Sequence, residues 1–526
     1  MMNRARAIYQ QHTTFVLFAV LFVSFRVMTL LLYRPGGFFA DYSDYNTSYL
    51  PFAQWSDRGL YPFVHYWLEW PPLFAWLVVG VYRLSLLLPQ WTDPRLWYNT
   101  LLGLSFMPFE IGNFVLIYLL GQEIYDRGKA LICALIYASL FAPLYVWSGW
   151  NDSLPVFFFL LGLYLLLKRK GVAGGAVAGI GFWVKVTPLL LLPIGLRVLE
   201  GVRRKVGFLV ASLLALAGVG LPFALVNRGF LWAFFANLLG RSSWETIWAL
   251  WDGYYSYGVV TADRLSVPSD FNTHSSSAPW AAITLVFAVL LLWLYTRKID
   301  YTDKVRSVAL AGLTMNLFML YSKGYSPQFI VQLIPFVVLL LPNLRGVAYI
   351  ILLDAINFLE ATVYFIVLPD QTWLLVTTVL LRTLLLVALS FEYGLILFDV
   401  RSPRVTTLHR RASIALLVYT AVSLCALVYP LGQAYVSSRR QAGVYGSAST
   451  VVRAQALPDG PDTGVRPSAD VRPMPATSGA DDGHPLLAGE LLSVDLYPWP
   501  TGDAHEGEVR WLTYVELHRD HARQAP

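Results

Sequence analysis

Two cysteines in 526 residues, Cys133 and Cys425, leave no disulfide framework and no metal-ligand spacing. Both stand inside apolar blocks. Charge is scarce as well. Asp, Glu, Lys and Arg make up 14% of the chain, against about 25% in a typical soluble domain. Alternation of apolar and polar residues is missing from the apolar blocks, which argues against a transmembrane barrel. No internal repeat of the transporter kind is visible. No small-residue cleavage site follows the first apolar helix, so that helix is expected to be retained rather than removed as a signal peptide.

What the chain has instead is hydrocarbon. Hydrophobic residues make up 56% of it and the mean hydropathy is +0.53. They come in long blocks broken by short charged punctuation. Only helices and closed barrels satisfy the backbone in lipid, so the pattern predicts an all-α polytopic membrane protein. The net charge of +6 and pI of about 9.1 would suggest nucleic acid in a soluble protein. Here the basic residues sit in short loops between apolar blocks, which makes them a topology signal and removes nucleic acid as a partner. Aromatics reach 15%. Interfacial anchoring accounts for them as well as sugar or lipid contact does.

Arg4 and Arg6 place the N-terminus in the cytoplasm, and a first span over about residues 13–33 exits to the outer face. The next apolar run, about 71–88, breaks the charge pattern if it spans, because Lys168-Arg169-Lys170 would then fall outside. Laid along the membrane surface as an interfacial helix, it restores the parity, and its Pro-Pro start and Arg83 suit that role. The first outer loop then covers about 34–96, and a second long outer loop covers about 227–279. Two short helices are expected either side of Lys185-Val186-Thr187-Pro188. About 13 spans result, and the C-terminus lies outside. Residues 1–436 form the membrane domain, 437–485 an outer linker rich in Pro, Gly, Ala, Ser and Asp, and 486–526 a small outer segment that suits a hairpin.

On this topology the unusual polar residues share the outer face. They are Asp41, Asp44, Glu69, Asn151, Asp152, Lys185 and the run Lys323 to Gln328, which includes Tyr325. Carboxylates there could activate a hydroxyl, and cations could hold a phosphate leaving group. Each has a plainer reading. Asp41 and Asp44 suit a solvated acidic loop after the first helix. Lys185 and Lys323 suit snorkelling side chains. Against that, a Lys near hydrocarbon depth costs about 2.5–3.5 kcal/mol, which favours a purpose for Lys185. Asp57, in Ser56-Asp57-Arg58-Gly59, reads as a local turn or ion pair. His65 and His274 have no ligand spacing and read as ordinary surface residues. Arg26 inside the first span needs a partner, with Glu110 or a lipid phosphate as candidates.

Three segments resemble the GT-C superfamily of polyprenyl-phosphate-dependent glycosyltransferases, nearest to bacterial polyprenyl-phosphate-mannose-dependent enzymes and the first GPI mannosyltransferase. Asp44-Tyr45, then Gly59-Leu60-Tyr61-Pro62, then Glu69-Trp70-Pro71-Pro72-Leu73 is similar to an acidic first loop ending in a Tyr-Pro-Pro-Leu-type helix. Lys168 to Pro193, with Lys185 and Pro188, is similar to a glycine-rich helix followed by Lys and Pro. Ser322-Lys323-Gly324-Tyr325-Ser326-Pro327-Gln328 resembles a Ser-Pro-Gln motif opening a late helix. The chain departs in carrying Asp-x-x-Asp rather than Asp-x-Asp, and Trp70 where Tyr is common.

The resemblance implies a GT-C-like bundle and an inverting transfer from a polyprenyl-phosphate sugar, mannose favoured, to a glycolipid or glycan at the outer leaflet of a cell membrane. By position it implies Asp44 as base, with Asp41 beside it. Lys185, Lys323 and Gln328 would contact the donor phosphate, and Glu69, Asn151, Asp152 and Tyr325 the substrates. No cofactor is required, and a divalent metal is optional because phosphate leaves as a stabilised anion. Two other classes stand beside this one. A lipid or glycan flippase would want acids and broken helices at the bilayer midplane. A membrane scaffold would leave the carboxylate–lysine face without a purpose.

Overall fold

The computed structural model describes residues 2–32, 43–89, 93, 95–258, 260, 262–447, 495–498 and 511–514. Residues Met1–Tyr435 and Val436–Pro526 form two compact units. The first unit is helical. Helix α1 runs Met2–Leu32, and the first loop then carries a π turn, Tyr45–Tyr49, and short helix α2, Leu50–Gln54. Next come α3 Pro72–Ser85, α4 Arg95–Ile124, α5 Arg127–Ser139, α6 Phe141–Trp147, α7 Ser153–Leu167, α8 Gly171–Phe182 and α9 Leu191–Val198. They are followed by α10 Val202–Val226, α11 Arg228–Gly240, α12 Ile247–Trp251, α13 Trp280–Thr296, α14 Lys304–Tyr321 and α15 Ile330–Leu340. Helix α16, Leu344–Phe358, runs into a π segment, Leu359–Val367, and α17 Thr372–Leu397 and α18 Pro403–Ala426 follow. Helix α19, Val428–Ser447, crosses the boundary between the units. In the second unit, strands β1 Asp495–Pro498 and β2 Trp511–Tyr514 pair antiparallel, with Asp495 opposite Tyr514.

Among the described residues, six helices are long and apolar enough to cross a membrane, or seven if α5 and α6, bent by 54°, count as one crossing. Six further apolar helices have only 10–17 residues. The expected count of about 13 is therefore not reached by length and composition alone. Where the sequence shows one apolar run, the fold often uses a broken or shortened helix packed against neighbours. Helix α3 is one of these. At 14 residues it is about 21 Å long, short of a hydrocarbon core of about 30 Å. It is tied to its own loop: Arg83 pairs with Asp57 at 3.0 Å, and the Tyr82 hydroxyl donates to Asp57 at 2.6 Å. Asp57, read as a local turn or ion pair, does form an ion pair, but with Arg83 on α3 rather than within its own turn.

Glycine decides how closely α8 packs. Gly171, Gly175 and Gly179 recur every four residues, so one face of the helix has no side chains. A Cβ on Gly175 would strike the Phe208 carbonyl, and one on Gly179 the Ser212 carbonyl, both on α10. The close packing fixes where α8 ends, at Phe182, and so where Lys185 begins the next turn. The first loop is no loose excursion. Its Phe63, Tyr66, Trp67 and Leu68 share an apolar cluster with Phe182, Trp183, Phe230 and Phe234 of the α8 and α11 region.

Inside the bundle, Arg26 and Glu110 are both 1% exposed and pair at 2.6 Å. Glu110 also accepts from the Tyr137 hydroxyl at 3.1 Å, and the guanidinium lies 3.3 Å from the Phe22 ring centroid. Of the two partners considered for Arg26, the structure selects Glu110. Removing one member leaves a charge stranded in the bundle, at a cost of about 3–5 kcal/mol. Glu110→Leu is expected to lower the melting temperature in detergent sharply. Arg26→Met with Glu110→Leu is expected to recover most of it, and fluorescence-detected thermal unfolding checks both.

Candidate active site

Asp44 begins the π turn Tyr45–Tyr49, which docks on the corner between α6 and α7. Tyr45 N donates to the Gly149 carbonyl at 3.3 Å, and the Tyr45 hydroxyl donates to the Trp147 carbonyl at 2.8 Å. A π turn spaces side chains unlike an α-helix and recurs at functional sites. Here it brings the Tyr49 hydroxyl between two acceptors, Asp44 Oδ2 and Asn151 Oδ1, each at 3.3 Å. One proton cannot serve both well. Among the described residues, the other Asp44 oxygen accepts only from Ser48 Oγ, at 3.4 Å. Asp44 is therefore held in place yet keeps lone pairs free.

Beside it is a tight charged group. Lys185, in the break between α8 and α9, reaches Asp152 Oδ1 at 2.5 Å. Gln332 on α15 donates to the same oxygen at 2.8 Å. Asp152 is 1% exposed, and its Oδ2 has no partner among the described residues. The Lys185 ammonium also lies 4.3 Å from the Phe329 ring centroid. Burial pushes the Asp44 carboxyl up to about 7. Lys185 pulls it down, while Asp152 and Glu69 push it up. A carboxyl poised there exchanges a proton readily near neutral pH.

Glu69 connects this group to a third loop. It pairs with Arg264 at 2.6 Å, and the Arg264 guanidinium packs 4.6 Å from the Trp67 ring centroid. Trp67 in turn donates its indole proton to the Asp263 carbonyl at 2.8 Å. The two long loops of the sequence, about 34–96 and 227–279, are thus joined by their own side chains.

The Ser322 to Gln328 run meets the loop after α11. Trp244 N donates to the Lys323 carbonyl at 3.0 Å, Tyr325 N donates to the Trp244 carbonyl at 3.2 Å, and the Trp244 indole donates to Ser326 Oγ at 3.1 Å. Gly324 lies flat under the indole, where any side chain would collide with it. Below this junction, Arg382 pairs with Glu360, donates to the Glu245 carbonyl and stacks 3.9 Å from the Tyr325 ring centroid. Burial, reinforced by Glu360, pushes the Glu245 carboxyl well above the usual range. Glu245 also holds φ at +52°, a costly conformation for a side-chain-bearing residue.

The structure brings Asp44, Asn151, Asp152, Lys185 and Glu69 into one electrostatic group. Lys323 and Tyr325 belong to the adjoining junction. The Lys323 ammonium turns to the Leu239 carbonyl at 3.1 Å, and burial lowers its pKa. Gln328 is half-buried in the turn Pro327–Phe329 and makes no side-chain hydrogen bond among the described residues. Asp41 lies outside the described residues. Sequence reasoning missed Gln332, Arg264, Arg382, Glu360 and Glu245. The buried Arg382 and Glu360 did leave a signal, as charges inside apolar runs. Gln332 left none. His274, read as an ordinary surface residue, links loop carbonyls at Ser243 and Ser275.

Residues 67–322 match the family model described as glycosyltransferase family 87. The matched stretch includes Glu69, Asn151, Asp152, Lys185 and Arg264, and lies between Asp44 and Lys323. The match supports a membrane glycosyltransferase in general terms. No curated protein matches the sequence.

A raised carboxyl has a signature in stability. Between the ordinary carboxylate value and about 7, the folded chain keeps a proton on Asp44 that the unfolded chain has lost, so stability falls as pH rises through that window. Asp44→Asn removes this penalty. The variant is expected to melt higher than wild type at pH 8, with the difference shrinking towards pH 4. A thermal-shift series across pH checks it, and a variant less stable at pH 8 would contradict the burial of Asp44.

Proposed function

We propose that the chain is an inverting glycosyltransferase of a cell membrane. It transfers a hexose, with mannose favoured, from a polyprenyl-phosphate donor to a glycolipid or glycan acceptor. In this reading the shorter apolar helices complete a GT-C-like bundle of about 13 crossings. The N-terminus is cytoplasmic, and the site and the C-terminus face outward.

One observation carries the reading. Asp44 is a half-buried carboxyl with two long hydrogen bonds and a pKa of about 7, next to a fixed lysine. That is what a general base for an acceptor hydroxyl needs. The hydroxyl oxygen attacks the anomeric carbon from the face opposite the phosphate. The bond from that carbon to the phosphate oxygen breaks, and its electron pair leaves with the phosphate. The hydroxyl proton passes to Asp44. Lys185, with one of its three protons committed to Asp152, turns the others to the phosphate, and Lys323 and Gln328 line the same side. Glu69, Asn151, Asp152 and Tyr325 shape the substrate cleft. Asp41 is the second acid of this reading.

The test uses membranes containing the full chain and labelled polyprenyl-phosphate mannose, glucose or arabinose. Sugar transfer is expected with one of them, and lipid movement without transfer would favour a flippase instead. Asp44→Asn is expected to lose about 10²–10⁴-fold in rate. The wild-type kcat/KM is expected to rise with pH through about 7 as Asp44 loses its proton. Chelation of divalent ions is expected to leave the rate unchanged. Full activity of the Asn variant would remove Asp44 from the mechanism.

A further inference from the structure

The cations of the site region are nearly all engaged. Lys185 holds Asp152, Arg264 holds Glu69, Arg382 holds Glu360, and Lys323 holds the Leu239 carbonyl. Arg241 is the exception. It closes helix α11 and lies half-buried, yet its guanidinium has no hydrogen bond and no ion pair among the described residues. Its nearest acid is no help, because Glu69 is already bound to Arg264 at 2.6 Å.

Arg241 also packs against an aromatic ring. Its Cζ lies 3.8 Å from the centroid of the Trp244 ring. That ring is itself fixed by its bond to Ser326 and by Gly258 and Gly324, which press against the indole. A guanidinium packed over this indole still has its planar fork of N–H groups to offer a ligand. That fork matches the oxygens of a phosphate, two at a time, in a way that a lysine cannot. Burial lowers its pKa to about 10, so it stays charged at neutral pH while lacking an anion.

Its location relative to the base matters as much. Glu69 acts electrostatically on both Asp44 and Arg241. Asp44 and Arg241 therefore share Glu69 as a charged neighbour. A transfer from a phosphate-linked sugar needs those two groups on either side of the anomeric carbon, one to take a proton and one to hold the departing anion.

We propose that Arg241 grips the phosphate of the lipid-linked donor by two N–H donors and keeps hold of the lipid phosphate formed when the sugar leaves. The proposal rests on the lipid-phosphate reading of the site. It makes Arg241 the principal phosphate ligand, with Lys185 as a point charge beside it, and it gives the Trp244 junction its purpose, which is to aim the guanidinium.

The test is direct binding, without sugar transfer. Purified full-length chain in phosphatidylcholine nanodiscs is titrated with radiolabelled polyprenyl monophosphate and, separately, with the uncharged polyprenol. Wild type is expected to prefer the monophosphate. Arg241→Gln is expected to lose that preference, with binding weakened about tenfold or more, as for a lost bidentate charged contact. Arg241→Lys is expected to recover only part of it. The melting temperature separates this role from a structural one. Removing an unpaired guanidinium should leave it unchanged or raised, whereas a drop in both variants would mark Arg241 as scaffold. Equal binding by Arg241→Gln and wild type overturns the proposal.

Other arms isolate the underlying reading. Wild type that binds polyprenol as well as the monophosphate, or binds neither, refutes a lipid-phosphate donor and the proposal with it. Arg241-dependent monophosphate binding in a chain that transfers no sugar upholds the proposal while refuting the transferase. Competition by phosphatidylglycerol or inorganic phosphate at concentrations matching the monophosphate would reassign the guanidinium to headgroups or free phosphate and overturn it as a donor ligand.

Discussion

Lys185 and Asp152 lie 2.5 Å apart at a place where neither could stand alone. A lone charge near hydrocarbon is costly, and a broken pair more so, because the survivor keeps its desolvation without its partner. The rest of the site is arranged around this constraint. The glycine face of α8 lets that helix end early against α10, which opens the turn that carries Lys185. The corner after α6 supplies Asp152. Gln332 donates to the same oxygen, so the ion pair is anchored from a third element. Asp44 then faces a charge distribution that is fixed, and its own proton affinity follows from that fixed field and from burial.

The same economy of charge governs the rest of the bundle. Arg26 with Glu110, and Arg382 with Glu360, are both buried pairs. The first joins α1 to α4 and touches no part of the site. The second stands beneath the junction of two loops and holds Tyr325 and the Glu245 carbonyl in place. Backbone strain at Glu245 is tolerated because that junction is over-determined by bonds through Trp244.

Much of this was legible beforehand, for physical reasons. Helix positions follow from hydrophobic length, so the run at Ser153–Leu167 and the break at Lys185 were readable from residue order. Glu110 was a sound partner for Arg26 because buried charges must pair. The number of full crossings was not readable, since an apolar run looks the same whether it spans, bends like α5 and α6, or stops short like α3. Gln332 was invisible, because a neutral amide in an apolar helix carries no mark until an acid 180 positions away is folded onto it.

The sequence by itself determined that the chain is helical and apolar, that half of its tryptophans lie in two long loops, and that Asp44, Lys185 and the run from Lys323 to Gln328 are out of place in such a chain. Composition and local order are enough for that, since hydropathy and helix length act along the chain. Only the tertiary structure decided which charges are engaged. It bound Lys185 to Asp152, gave Glu69 to Arg264, turned Lys323 to a carbonyl, and left Asp44 and Arg241 without an ion pair among the described residues. Pairing is a matter of a few ångströms between distant segments, and no one-dimensional pattern records it.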